Sequence, residues 1–196
     1  MSEAIPERLY ISADELLSDS FELALKVLDS GFRPTHIIGI WRGGTPVGIA
    51  VQELLDFSGI KTDHIAIRTS LYTGVATTGR KVRVHGLNYI IKHINSEDAL
   101  LIVDDVYDSG RSIRQVIADI RADCRKNTPD IRIATIYYKP GNSEPSKVPH
   151  YYLHETAHWL VFPHELAGLS VDELLERKPG IERFRERLRA LHAGQH

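Results

Sequence analysis

Asp104 and Asp105 stand side by side at the end of the apolar run 100–103, and three positions after the second comes Asp108-Ser109-Gly110-Arg111-Ser112. Adjacent carboxylates repel each other unless a cation, a sugar diol or a nearby base takes up their charge or their hydrogen bonds. The turn 108–112 offers main-chain N–H groups, two hydroxyls and a flexible glycine where a helix should begin, which makes it a cradle for phosphate. Phosphate, diol and metal chemistry in one short stretch point to a phosphorylated ribose. A second stretch, Arg42-Gly43-Gly44, ends another apolar run at 35–41. By itself it reads equally well as a tight turn.

Such residues need elements to hold them. Residues 13–29 carry apolar positions at helical spacing, with Gly31 as a stop. The run 35–41 reads as a buried strand, and helical periodicity resumes at 46–57 with Pro46 in the first turn. Strands are expected at 61–70, 99–106 and 131–139, with a helix at 112–126. That alternation predicts a parallel sheet wrapped by helices. Ligands bind beyond the carboxyl ends of such strands, and both chemical stretches lie there. Residues 71–86, rich in Gly and Thr, read as a mobile loop with at most a short hairpin. Residues 140–149 form a turn-rich connection, 150–163 one or two further strands, and 164–177 and 180–192 short helices. The last is dense in Arg and Glu, as a solvated face or a subunit contact would be.

Bulk properties narrow the classes. The chain has 196 residues, 42% hydrophobic and 26% charged, enough for one domain with a buried core. A net charge of -2 gives no field for nucleic acid or an anionic membrane, and no apolar run is long enough to span a bilayer. The first residues lack the basic and apolar regions of a signal peptide, so a cytoplasmic protein is expected. Cys124 is the sole cysteine, which excludes an internal disulfide and a multi-cysteine zinc site. His150 and His154 are four apart but on an expected strand, where that spacing makes no shared metal site.

The stretch 100–112 resembles the phosphoribosyl-diphosphate signature of the type I phosphoribosyltransferases: apolar strand, two acids, then a D-[ST]-G-x-[ST] loop. Residues 39–46, GIWRGGTP, resemble that family's pyrophosphate loop. TIYYKPG places Lys139 where its purine-using members carry a base-recognising lysine, and 158–165, HWLVFPHE, resembles the segment that stacks on the purine and ends in an acidic metal ligand. Four motifs in the family's order cover most of 35–165. They are most like the 6-oxopurine enzymes, those using hypoxanthine, guanine or xanthine.

The resemblance implies an α/β domain over residues 1–196. A Rossmann-like parallel core at about 30–140 would be flanked by helices, with a small hood mainly from 140–196 and the N-terminal segment. Asp104 and Asp105 would face the ribose hydroxyls and magnesium. Asp108, Ser109, Gly110, Arg111 and Ser112 would hold the 5′-phosphate, Asp108 also assisting proton transfer at the base. Trp41, Arg42 and Gly43 would meet pyrophosphate, with a cis peptide between Trp41 and Arg42. Ser70 and Tyr72 would open the flexible loop; the family more often has Ser-Tyr as neighbours, and Leu71 intervenes here. Lys139, Trp159 and the Leu160 carbonyl would bind the base, and Glu165 a second magnesium. Related sequences often show Trp where this one has His164. The implied activity is purine salvage: phosphoribosyl diphosphate and a 6-oxopurine give a nucleoside monophosphate and pyrophosphate, commonly in a homodimer. The alternative is a regulatory protein that senses the sugar diphosphate or a nucleotide on the same fold. Taken singly, Lys139 reads as a solvated lysine, Trp159 as core and Arg42-Gly43-Gly44 as a turn; their joint order carries the functional reading.

Overall fold

The computed structural model describes residues 8–72, 81–143 and 148–193. In chain order the elements begin β1 (Arg8–Tyr10), α1 (Ala13–Asp29), β2 (His36–Trp41), α2 (Gly44–Phe57), β3 (Asp63–Tyr72) and β4 (Lys81–His85). There follow α3 (Asn88–His93), β5 (Ala99–Tyr107), α4 (Arg111–Cys124), β6 (Asp130–Tyr138) and β7 (Tyr151–Glu155). The chain closes with β8 (Trp159–Val161), α5 (Val171–Arg177) and α6 (Arg185–Ala193). Two compact units result, one from residues 17–157 and one from the chain ends, 1–16 with 158–196.

The larger unit is a six-stranded sheet in the order β4-β3-β2-β5-β6-β7. Every pair is parallel except β3 with the edge strand β4. Strand order reverses between β2 and β5: the chain winds outward through β3 on one side and through β6 on the other. Residues 100–103 and Ile37 and Ile38 are fully buried, which is why these strands read as unbroken apolar runs. Ile113, Val116, Ile120 and Cys124 of α4 join Ile38, Leu100 and Ile102 in one core cluster. His64 on β3 packs against two glycines: a Cβ at Gly39 of β2 or Gly48 of α2 would lie 3.1 or 3.0 Å from its Nε2. Its Nδ1 pairs with Gln52 Oε1 at 3.0 Å, and burial lowers the imidazole pKa.

Several elements differ from expectation. The loop expected at 71–86 begins later, because Leu71 and Tyr72 continue β3 and pair with β4; residues 73–80 lie outside those described. The short strand β1 and the six-residue α3 have no strong local pattern and were not expected. The apolar stretch 150–163 divides, β7 joining the large sheet and β8 pairing with β1. The helix expected from 164 starts only at Val171. There the Ser170 hydroxyl accepts the Glu173 N–H and the Glu173 carboxylate accepts the Ser170 N–H, a reciprocal cap.

The smaller unit pairs Arg8 with Trp159, Leu9 with Leu160 and Tyr10 with Val161. Arg8 and the Tyr10 hydroxyl both bond Glu173 Oε1. Lys178, only 5% exposed, donates to the carbonyls of Phe162 and Pro163, and burial lowers its pKa while Glu165 opposes that shift.

Candidate active site

The strand does not end at its paired acids: β5 runs two residues further, to Tyr107. Asp104 Oδ1 accepts the Asp105 N–H at 3.0 Å, and Asp105 Oδ1 accepts the Val106 N–H at 2.8 Å. Asp105 is 8% exposed. Burial first, and the neighbouring Asp105 carboxylate second, push the Asp104 carboxyl well above the usual range, against a lowering contribution from the Gly44 N–H. The turn after β2 lies directly on this pair. A Cβ on Gly43 would sit 1.7 Å from Asp105 Oδ2, and one on Gly44 would sit 2.4 Å from Val103 O and 2.9 Å from Asp104 Cα. Only glycine permits that approach. The peptide between Trp41 and Arg42 is cis, as the resemblance implied, and both side chains are exposed.

Beyond β5, Gly110 takes a left-handed φ of +66° as the N-cap of α4. A pocket of about 100 Å³ is lined by Asp104 and residues 106–113. It has the free N–H groups of a helix N-terminus, suited to an anion. Arg114 Nη1 pins the turn by donating to Ser109 O at 2.7 Å. The Tyr107 ring closes the space beside Gly110, where a Cβ would fall 2.2 Å from the tyrosine hydroxyl oxygen. Asp108 is exposed and accepts from Asn142 Nδ2 at 2.7 Å. Lys139, directly after β6, is 9% exposed, and its N–H donates to Tyr107 O at 2.9 Å.

The larger unit therefore contains Trp41 to Gly43, Asp104, Asp105, residues 108–112 and Lys139. Ser70 and Tyr72 fall within β3 rather than in a loop, with Ser70 Oγ 3.2 Å from His85 Nε2. Trp159, Leu160 and Glu165 belong to the smaller unit. Trp159 is 58% exposed, Leu160 is buried, and Glu165 Oε2 accepts the Phe162 N–H at 3.2 Å. No group of three or more His, Cys, Asp or Glu side chains able to hold a metal occurs among the described residues. The acid pair alone nevertheless fits magnesium, which binds through one or two carboxylates and takes its other oxygens from water and substrate. Asn142, Arg114 and Tyr107 carried no motif and were missed.

The family model for the phosphoribosyl transferase domain matches residues 12–166. The chain belongs to that family. Among solved structures, a purine phosphoribosyltransferase from Pyrococcus horikoshii is 27% identical, with a TM-score of 0.64 over 83% of this chain and 97% of its own. The Helicobacter pylori xanthine-guanine-hypoxanthine phosphoribosyltransferase shares 20% identity at a TM-score of 0.64, covering 80% of this chain and 92% of its own. A Neisseria gonorrhoeae protein solved with bound ppGpp shares 18% at 0.65, covering 94% and 99%. At the last two identities the likeness is one of fold. No curated protein matches the chain. In this phosphoribosyltransferase the type I fold brings the glycine turn after β2 onto the acids of β5, one strand away. No helix among the described residues is long and apolar enough to cross a membrane.

Proposed function

We propose that this phosphoribosyltransferase is a purine salvage enzyme. It would move the 5-phosphoribosyl group from phosphoribosyl diphosphate to hypoxanthine, guanine or xanthine, giving the nucleoside monophosphate and pyrophosphate. One observation carries the reading: an acid pair, a phosphate cradle and a glycine turn bearing Arg42 meet at adjacent strand ends. In this proposal Ser109, Gly110, Arg111 and Ser112 hold the 5′-phosphate by main-chain and hydroxyl donors. Asp104 and Asp105 face the ribose hydroxyls and hold magnesium, which when bound neutralises charge on the diphosphate. Arg42 and Gly43 meet the departing pyrophosphate.

The C1–O bond of the ribose breaks with its electron pair going to pyrophosphate, and a purine nitrogen forms the new bond to C1. The proton lost by the purine passes to Asp108. Lys139 selects a 6-oxo group, because an ammonium donates to an oxygen acceptor and meets only another donor in adenine. The roles that the resemblance implies for Trp159, the Leu160 carbonyl and Glu165 stand as proposals, those of Trp159 and Glu165 each tested by its own substitution.

The test is a steady-state assay with magnesium and phosphoribosyl diphosphate, offering hypoxanthine, guanine, xanthine, adenine and uracil separately and following pyrophosphate release. Turnover with a 6-oxopurine, strongly reduced but still measurable in Asp108→Asn and re-ranked in Lys139→Ala, is the expected result. Binding of the sugar diphosphate without turnover on any base would replace this reading with the sensor.

A further inference from the structure

Asp108 and Lys139 leave neighbouring parallel strands, with Tyr107 of β5 in register with Tyr138 of β6. One residue on, the Lys139 N–H donates to Tyr107 O at 2.9 Å. The chain then makes a single tight turn, Pro140–Asn142, closed by the Asn142 N–H on Lys139 O at 3.2 Å. That turn delivers Asn142 Nδ2 to within 2.7 Å of Asp108 Oδ1. Asp108 makes no other hydrogen bond among the described residues, so Oδ2 is left for a ligand. Both side chains are exposed, and an exposed carboxylate would otherwise rotate between rotamers.

The chemistry of the partner matters. A carboxamide nitrogen can only donate, so it fixes Oδ1 as an acceptor. It is also neutral, so it orients Asp108 without forming an ion pair with it. We propose that Asn142 is a positioning residue that holds Asp108 by Oδ1 so that Oδ2 meets the N–H of the incoming base. This assignment rests on the 6-oxopurine reaction proposed above. In that step the purine N–H bond breaks, its electron pair stays on the ring, and the proton goes to Asp108 Oδ2 while pyrophosphate leaves with the C1–O pair.

The experiment is a double-mutant cycle on the full chain, using Asn142→Ala, Asn142→Gln, Asp108→Asn and the Asn142→Ala/Asp108→Asn pair. The substrates are phosphoribosyl diphosphate, magnesium and the best 6-oxopurine. Asn142→Ala is expected to lower kcat about 10-fold, with KM for phosphoribosyl diphosphate within about twofold of wild type. Asn142→Gln, which keeps the donor, is expected to recover part of that loss. In the Asp108→Asn background the alanine substitution should cost nothing more, because Asn142 acts only through the group already removed.

Unchanged kcat in Asn142→Ala, or the same fractional loss in both backgrounds, overturns the assignment while wild-type turnover keeps the reaction. Absence of wild-type turnover overturns the reaction and the assignment together. A thermal midpoint for Asn142→Ala equal to wild type is expected; a kcat loss explained by a smaller folded fraction also counts against positioning.

Discussion

Asp104 and Asp105 share one strand end, and each carboxylate is tied to a main-chain N–H of its neighbour. The sheet holds them together, and burial first, with repulsion by Asp105 second, raises the Asp104 carboxyl. Replacing Asp105 with Asn keeps an oxygen for the Val106 N–H and removes one charge. Unliganded Asp105→Asn should therefore gain about 1 kcal/mol of stability, while turnover falls by about 100-fold or more. Calorimetric melting without ligand and a turnover assay read the two effects separately, and a loss of stability would contradict the repulsion argument. At this scale the sequence was informative where chemistry is contiguous: 104–105 and 108–112 announce themselves within nine residues. Asn142 did not, since its bond to Asp108 spans 34 positions and exists only because β5 and β6 pair in one register. Tyr107 was equally silent: it falls just past the strand expected at 99–106 and carries no motif, and only its ring against Gly110 reveals it.

Between elements, the β2–α2 turn makes the closest approach in the site, and its two glycines should fail differently. At Gly43 the obstructing atoms belong to the Asp105 side chain, which can rotate away. Gly43→Ala should leave a folded protein with the acid displaced and activity reduced by about 100-fold. At Gly44 the obstruction is main chain, Val103 O and Asp104 Cα. Gly44→Ala should cost about 3 kcal/mol or more, because the start of α2 and strand β5 would have to part. Chemical denaturation of both variants checks this, and equal destabilisation would refute it. Most elements were legible because their periods are strong: β2 and β5 as continuous apolar runs, α4 as an amphipathic helix. The misses have physical causes. β1 is three residues long and exists through pairing with β8, 151 positions away at Arg8 and Trp159. β4 lies at an edge beside a Gly- and Thr-rich stretch, and its place comes from pairing with β3 and from Val84 packing on the core. The start of α5 was readable from Ser170 and Glu173, whose spacing marks a reciprocal cap.

For the molecule as a whole, stability should fall as pH drops below about 6.5, the ordinary histidine value. His64 and His150 are held below that value by burial, so the unfolded chain binds more protons than the folded one in the window just beneath it. Their contribution is full above the unfolded pKa and is lost as pH falls through the folded one; Asp104, shifted upward, tilts the curve the other way. Comparing wild type with His64→Gln in urea at several pH values isolates one histidine. The stability advantage of wild type over the variant should shrink from pH 7.5 to pH 5, and an advantage that grew would reverse the sign. The global arrangement was foreseen as a parallel sheet wrapped by helices, but the division of 150–163 between two sheets was not, because both halves carry the same apolar pattern. The reversal of strand order between β2 and β5 has a further consequence, for descent rather than mechanism. Under the proposed function, the groups for the sugar diphosphate would hang from the two innermost strands, β2 and β5, and those for the base, Lys139 and Asn142, from the end of β6, one strand outward. A lineage built on this plan can revise its acceptor by drift in one outer turn and inherit the machinery for the activated sugar unaltered.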